Sequence, residues 1–249
     1  MQPTVPKPVQ FRVNANGLGI DCRVWPGTGS RMPLVLLHGL TGSSRDWCAI
    51  APRLATRRTV YAWDARGHGG SDWSADAAYD GDAHFADLVG VLDVLAIERC
   101  ALVGYSMGGG IAILAAGAIP ERIARLIVID SYPSPEMSTG SRRIAEAIAE
   151  TAESAVGPTF DPAIARSMAA QLADNDPRRL DLWPFWDAGE QPAVVVRGEA
   201  SDVLLPEMAE EMLRRRPSRL VTIPGVAHAI PALRPRYLTR ILDSFLGDD

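Results

Sequence analysis

The sequence predicts an α/β architecture: a mostly parallel, doubly wound sheet with helices on both faces and an antiparallel hairpin at one edge. Short apolar runs without alternation recur at 34–37, 60–63, 101–104, 126–129 and 194–196. Such runs suit strands buried on both faces of a parallel sheet. Segments of helical texture at 47–55, 84–97, 108–118, 206–215 and 236–246 follow or separate them, and strand–helix alternation is the pattern of a doubly wound sheet. The leading residues differ. QFRVN and GIDCRVW alternate in polarity around Asn16-Gly17, a dipeptide favoured in tight hairpin turns.

At 249 residues the chain is long enough for one such core without help from disulfides or metals. Apolar residues make up 47% and charged residues 22%, with a net charge of −5, so no clustered basic excess points to a nucleic-acid partner. The run Arg214-Arg215-Arg216 closes a predicted helix, where it complements the helix dipole. The three cysteines, Cys22, Cys48 and Cys100, form no C-x-x-C pair, which suggests neither a zinc site nor a disulfide framework. Cys100 reads as a small core residue. No metal and no cofactor are expected. The opening MQPTVPKPVQ lacks the charged-then-apolar pattern of a signal, and no apolar stretch approaches a membrane span. The expected setting is the cytoplasm, with a small-molecule substrate and no membrane partner.

Residues 131–190 break the rhythm, with no strand candidate. One helical segment, 141–154, places Ile144 and Ile148 a turn apart. A second opens on Asp161-Pro162, an N-cap followed by proline at the first helical position, and stripes Ile164, Met168 and Leu172 along one face. The stretch ends in Trp183-Pro184-Phe185-Trp186. The expected organisation is a core of 1–130 and 191–249, with 131–190 a helical insertion over the C-terminal ends of the strands. Open α/β sheets bind ligands at that edge.

Gly104-Tyr105-Ser106-Met107-Gly108 matches G-x-S-x-G. The apolar run 100–103 leads into it and a small-residue helix, Gly108-Gly109-Gly110-Ile111-Ala112, leaves it. That is the setting of a nucleophile elbow, where the serine stands on a sharp turn at the start of a helix. Serine needs a base. Acid and base follow the nucleophile in this arrangement, and His38, His68 and His84 all precede Ser106. His228, in a short loop between a strand candidate (219–223) and the last helix, is therefore the candidate base. The acid has two main candidates: Asp202, after the strand 193–196, and Asp130, at the end of the strand 126–129. Asp202 is preferred, which leaves Asp130 a supporting or structural carboxylate and Glu199 a distant third. An oxyanion hole needs two backbone N–H groups. Those of Met107, after the serine, and of Leu40, in the loop His38-Gly39-Leu40-Thr41-Gly42-Ser43, are the candidates, with His38 bracing that loop.

These pieces resemble the α/β-hydrolase superfamily over essentially the whole chain, through HGLTGS at 38–43, DARGHGGSD at 64–72, GYSMGG at 104–109, RGEASD at 197–202 and VAH at 226–228. The resemblance implies an α/β-hydrolase fold with a small helical cap at 131–190. It implies Ser106 as nucleophile, Asp202 as acid, His228 as base, and Leu40 and Met107 as oxyanion amides, with the 64–72 loop structural. The family commonly has glycine before the histidine, and this chain has Ala227. A serine at 106 disfavours the relatives that use an aspartate nucleophile.

The activity expected is cofactor-independent hydrolysis of an ester, thioester or lactone through an acyl-enzyme. Carbon–carbon cleavage of a keto-acid or dienoic substrate is the nearest alternative and calls for an Arg or Lys clamp in the pocket. A perhydrolase-like activity and a slow-turnover ligand receptor are further readings. Met107, Met168, Trp183, Phe185 and Trp186 are candidates for either pocket lining or core, and none is assigned as a binding residue.

Overall fold

The computed structural model describes residues 7–29, 31–151, 159–171 and 180–247. Its eight strands are β1 Val9–Ala15, β2 Leu18–Trp25, β3 Leu34–Leu37, β4 Val60–Trp63, β5 Cys100–Tyr105, β6 Ile123–Ile129, β7 Ala193–Gly198 and β8 Arg219–Ile223. They form one sheet in the order β1-β2-β4-β3-β5-β6-β7-β8. β1 and β2 pair antiparallel, as do β2 and β4, and every other pair is parallel. The predicted hairpin turns at Asn16 and Gly17, whose φ angles of 49° and 78° are the two positive values a tight turn between right-twisted strands requires.

The helices are α1 Ala51–Leu54, α2 Gly81–Val94, α3 Met107–Ala118, α4 Thr139–Thr151, α5 Pro162–Gln171, α6 Trp183–Ala188, α7 Pro206–Arg215, α8 Ile230–Leu233 and α9 Pro235–Leu246. Alternate side chains of each central strand feed opposite faces. Val35, Leu37, Leu102, Leu126, Val128 and Val195 join α2, α3 and α7 in one core. Leu34, Leu36, Val103, Ile127, Ile129 and Val196 join α1 and α9 in the other. Two buried faces explain why these strands carry no polar alternation.

Three elements differ from the sequence expectation. The helix expected at 47–55 is a 3₁₀ turn over Ser44–Trp47 followed by α1, which starts with Pro52 in its first turn. α2 begins earlier than 84 because Asp80 caps it, its side chain accepting from the Ala83 amide. α6 was not expected at all. It packs on α3, where a side chain on Gly117 would lie 2.5 Å from the Phe185 backbone, so glycine there permits the contact. Trp186 is fully buried in the α2–α3–α7 core and donates its indole N–H to the Met212 carbonyl at 2.9 Å. Trp183 lies under the Arg215 guanidinium. The segment Trp183–Trp186 thus belongs to the sheet's own helical layer. Trp186→Ala is expected to lower stability by about 3–5 kcal/mol, read as a shift of the urea midpoint.

Between β6 and α6 lie α4 and α5. Ile148 and Ile164 are buried in a small cluster with Tyr79 and Phe160, and Ile144 packs against it. Leu172 and the side chain of Met168 lie outside the described residues.

Candidate active site

β5 delivers Ser106 to the sheet's C-terminal edge. The serine backbone has φ 53° and ψ −117°, a strained conformation for a residue with a Cβ. Neighbouring glycines permit the turn: a Cβ on Gly104 would lie 2.0 Å from the Gly108 carbonyl oxygen, and one on Gly108 2.5 Å from that of Leu37. The Ser106 amide donates to Ile129 O at 3.0 Å, tying the turn to β6. α3 starts at the next residue, so its N-terminal amides face the site.

His228 sits between β8 and α8. Its Nε2 is 3.0 Å from Ser106 Oγ. Its backbone carbonyl accepts from the Tyr105 hydroxyl at 3.1 Å, and the two rings lie 5.1 Å apart at 32°. His228 Nδ1 is 2.7 Å from Asp130 Oδ2. Asp130 is fully buried with φ 47°. Its amide donates to Val196 O at 2.8 Å, and its carboxylate also accepts from the Gly198 amide at 3.2 Å and the Ser201 hydroxyl at 2.5 Å. The structure therefore brings Ser106, His228 and Asp130 into one hydrogen-bonded line.

Asp202 is not in that line, contrary to the sequence expectation. Its carboxylate pairs with the exposed Arg143 guanidinium at 3.1 Å, and its backbone carbonyl accepts from the Gly140 amide at 2.9 Å. The loop after β7 turns tightly, with the Ser201 amide on Gly198 O at 3.0 Å. That turn directs Ser201 inward to Asp130, and the following residue faces α4. Glu199 holds the loop ahead of the histidine through the Gly225 amide at 2.9 Å.

The loop after β3 runs beside the serine. A Cβ on Gly39 would meet the Tyr105 ring at 2.9 Å and Ser106 Cβ at 3.2 Å, so only glycine permits this approach. Two histidines brace the loop. His38 Nε2 accepts the Ala65 amide at 2.9 Å, which leaves its Nδ1–H to donate to Gly39 O at 2.7 Å. His68 Nε2 accepts the Thr41 amide at 3.2 Å, and its Nδ1–H donates to Arg66 O at 2.9 Å. Burial lowers the pKa of both, that of His68 to about 4 with the help of His38. The 64–72 loop is likewise structural. Asp64 accepts the Ser44 and Gly70 amides at 2.7 and 2.8 Å, and Arg66 forms a buried two-point pair with Asp87, 2.6 Å at each contact.

Ser106 opens onto a cavity of about 310 Å³, within the range of small-molecule sites. Leu40 and Met107 line it beside the serine; Ile111, Leu114, Ile144 and Ile164 supply apolar wall, the last two from α4 and α5. Among the described residues, neither the Leu40 nor the Met107 amide donates to a protein acceptor.

The family model for the alpha/beta hydrolase fold matches residues 32–186. The chain belongs to the α/β-hydrolase fold family. Its relatives include hydrolases. It is 35% identical over 169 residues to the sn-1-specific diacylglycerol lipase ABHD11 of Danio rerio, a match covering 67% of this chain and 50% of that protein. It is 27% identical to the 2-(acetamidomethylene)succinate hydrolase of Mesorhizobium japonicum, over 88% of this chain and 89% of that one. An α/β hydrolase structure from Novosphingobium aromaticivorans superposes with a TM-score of 0.77 at 28% identity, covering 97% and 98% of the two chains. The chain thus spans half the length of the lipase and nearly all of the other two.

Within this α/β hydrolase, Ala227 needs no glycine, since positive φ in that loop falls on Gly225. His84, set aside in the sequence on chain order alone, lines the cavity. Ser201, which sequence reasoning passed over, carries a signal only in retrospect: a hydroxyl one residue before an aspartate after β7. Among the described residues, no cluster of His, Cys, Asp or Glu is arranged to hold a metal ion, and no helix is long and apolar enough to cross a membrane.

Proposed function

We propose that the chain is a serine hydrolase that cleaves an uncharged small-molecule ester, thioester or lactone through an acyl-enzyme. One observation carries the reading: the carboxylate–imidazole–hydroxyl line, at 2.7 and 3.0 Å, ends at the floor of a small-molecule cavity. Ser106 Oγ bonds to the substrate carbonyl carbon as its proton passes to His228 Nε2. Asp130, not Asp202, holds the imidazole in the tautomer with Nδ1 protonated and stabilises the imidazolium. The amides of Leu40 and Met107 receive the charge that develops on the carbonyl oxygen. His228 returns its proton to the leaving group as that bond breaks. Water then attacks the acyl-enzyme, giving its proton to Nε2, and the acid product leaves with Ser106 restored. No cofactor takes part. The helices α4 and α5 act as the cap, since Ile144 and Ile164 roof the cavity. The three unpaired cysteines support a reducing, cytoplasmic setting.

Ester cleavage is favoured over carbon–carbon cleavage of a keto-acid by the cavity's charge. Asp80 and Glu136 line it, and no described lining residue is Arg or Lys, so a substrate carboxylate meets acidic neighbours rather than a cationic clamp. A fluorophosphonate probe tests the reading. Labelling is expected at Ser106 in the wild type and absent in Ser106→Ala. Labelling elsewhere, or none in folded wild-type protein, contradicts it.

A further inference from the structure

Two polar side chains in the cavity have no hydrogen-bond partner among the described residues. His84, on the first turns of α2, is 7% exposed, and Ser131, directly after Asp130, is 8% exposed. Both line the cavity that holds Ser106. Among the described residues no group hydrogen-bonds to either side chain, although neighbouring polar residues are tied down: Tyr132 to Ser141 at 2.8 Å, and Asp80 to the Ala83 amide at 2.8 Å. The His84 nitrogens are also absent from the sealed, unsatisfied atoms of the interior, so they keep some access to space; His84 lines this cavity and also a smaller one beside Trp63 and Leu88. A mostly buried polar side chain whose free edge meets a cavity takes its hydrogen bonds from whatever fills that cavity.

We propose that His84 and Ser131 form a specificity subsite for a hydroxyl group on the substrate, away from the scissile carbonyl. This rests on the hydrolase reading above. The chemistry selects a hydroxyl over a charged group. Burial first, then His68, Arg66 and His38, push the His84 pKa down to about 3. The imidazole is thus neutral at working pH and offers one N–H donor and one bare nitrogen acceptor. Ser131 likewise donates and accepts. A hydroxyl satisfies both kinds of partner, whereas a carboxylate only accepts and shares the cavity with Asp80 and Glu136. The remaining wall is largely apolar, and about 310 Å³ lies at the small end of small-molecule sites. The substrate class is therefore a small, uncharged ester of a hydroxylated acid or a polyol.

The test compares two matched series: 4-nitrophenyl hexanoate with one hydroxyl walked along the acyl chain, and hexyl acetate with one hydroxyl walked along the alcohol. A terminally carboxylated acyl ester completes the panel. At least one hydroxylated member is expected to exceed its parent in kcat/KM by about tenfold or more, and the carboxylated ester to fall below the parent. His84→Phe, which keeps a ring of similar size, is expected to erase the ratio. Ser131→Ala, a minimal change, is expected to reduce it, and His84→Gln to retain part of it. Fluorophosphonate labelling of Ser106 reports that each variant is folded. Absence of any hydroxyl preference in the wild type, or a ratio that survives both His84→Phe and Ser131→Ala, overturns the subsite. Failure of the wild type to turn over any member of the panel contradicts the hydrolase reading instead.

Discussion

Asp130→Asn is expected to lower kcat/KM for ester turnover by about 10⁴-fold, the scale set by loss of the correct imidazole tautomer, while Asp202→Asn stays within about fivefold. The difference follows from what each carboxylate touches. Asparagine at 130 can turn its amide N–H₂ toward His228 Nδ1, now 2.7 Å from a carboxylate oxygen. The imidazole proton then moves to Nε2, the nitrogen 3.0 Å from Ser106 Oγ, and the base can no longer accept the serine proton. The fold should persist, because asparagine retains an oxygen for Ser201 or the Gly198 amide. Asp202 instead holds Arg143 in a pair that is 64% and 40% exposed on its two sides, where solvent screens most of the interaction. Steady-state kinetics on the two variants, with circular dichroism as the fold control, decides between them.

Ser106→Ala and His228→Ala are each expected to lower kcat by about 10⁶-fold, and the double variant to be no worse than either single one. The hydroxyl and the imidazole act as one unit, so removing either stops proton transfer at the same step. The residual rate is then expected from the proposed oxyanion amides of Leu40 and Met107 and from the cavity, which neither substitution alters. Additive losses would indicate that the two groups serve separate steps.

The sheet and the nucleophile turn could be read from sequence because both are local. The run 100–103 meets G-x-S-x-G and a small-residue helix within a few residues, and the central strands announce two buried faces by lacking alternation. The place of His228 beside Ser106 followed from chain order. The carboxylate that pairs with it did not, and the reason is geometric. β6 and β7 are neighbours, so a carboxylate at either C-terminal end is within range of the β8–α8 loop. Choosing between them depends on whether Ser201 or Asp202 faces inward, a one-residue rotation set by the Ser201–Gly198 turn. Nothing in residue spacing reports that rotation. The Trp-Pro-Phe-Trp segment at 183–186 is ambiguous in sequence for a similar reason. Its place in the core depends on Gly117, distant in sequence, leaving room for the Phe185 backbone.

Proton NMR of protein carrying ¹⁵N-labelled histidine tests the central alignment most directly. A strongly downfield proton on the Nδ1 nitrogen of His228 is expected in the wild type and in Asp202→Asn, and is lost in Asp130→Ala. The same signal persisting without the carboxylate at 130, and vanishing without the one at 202, would contradict the account.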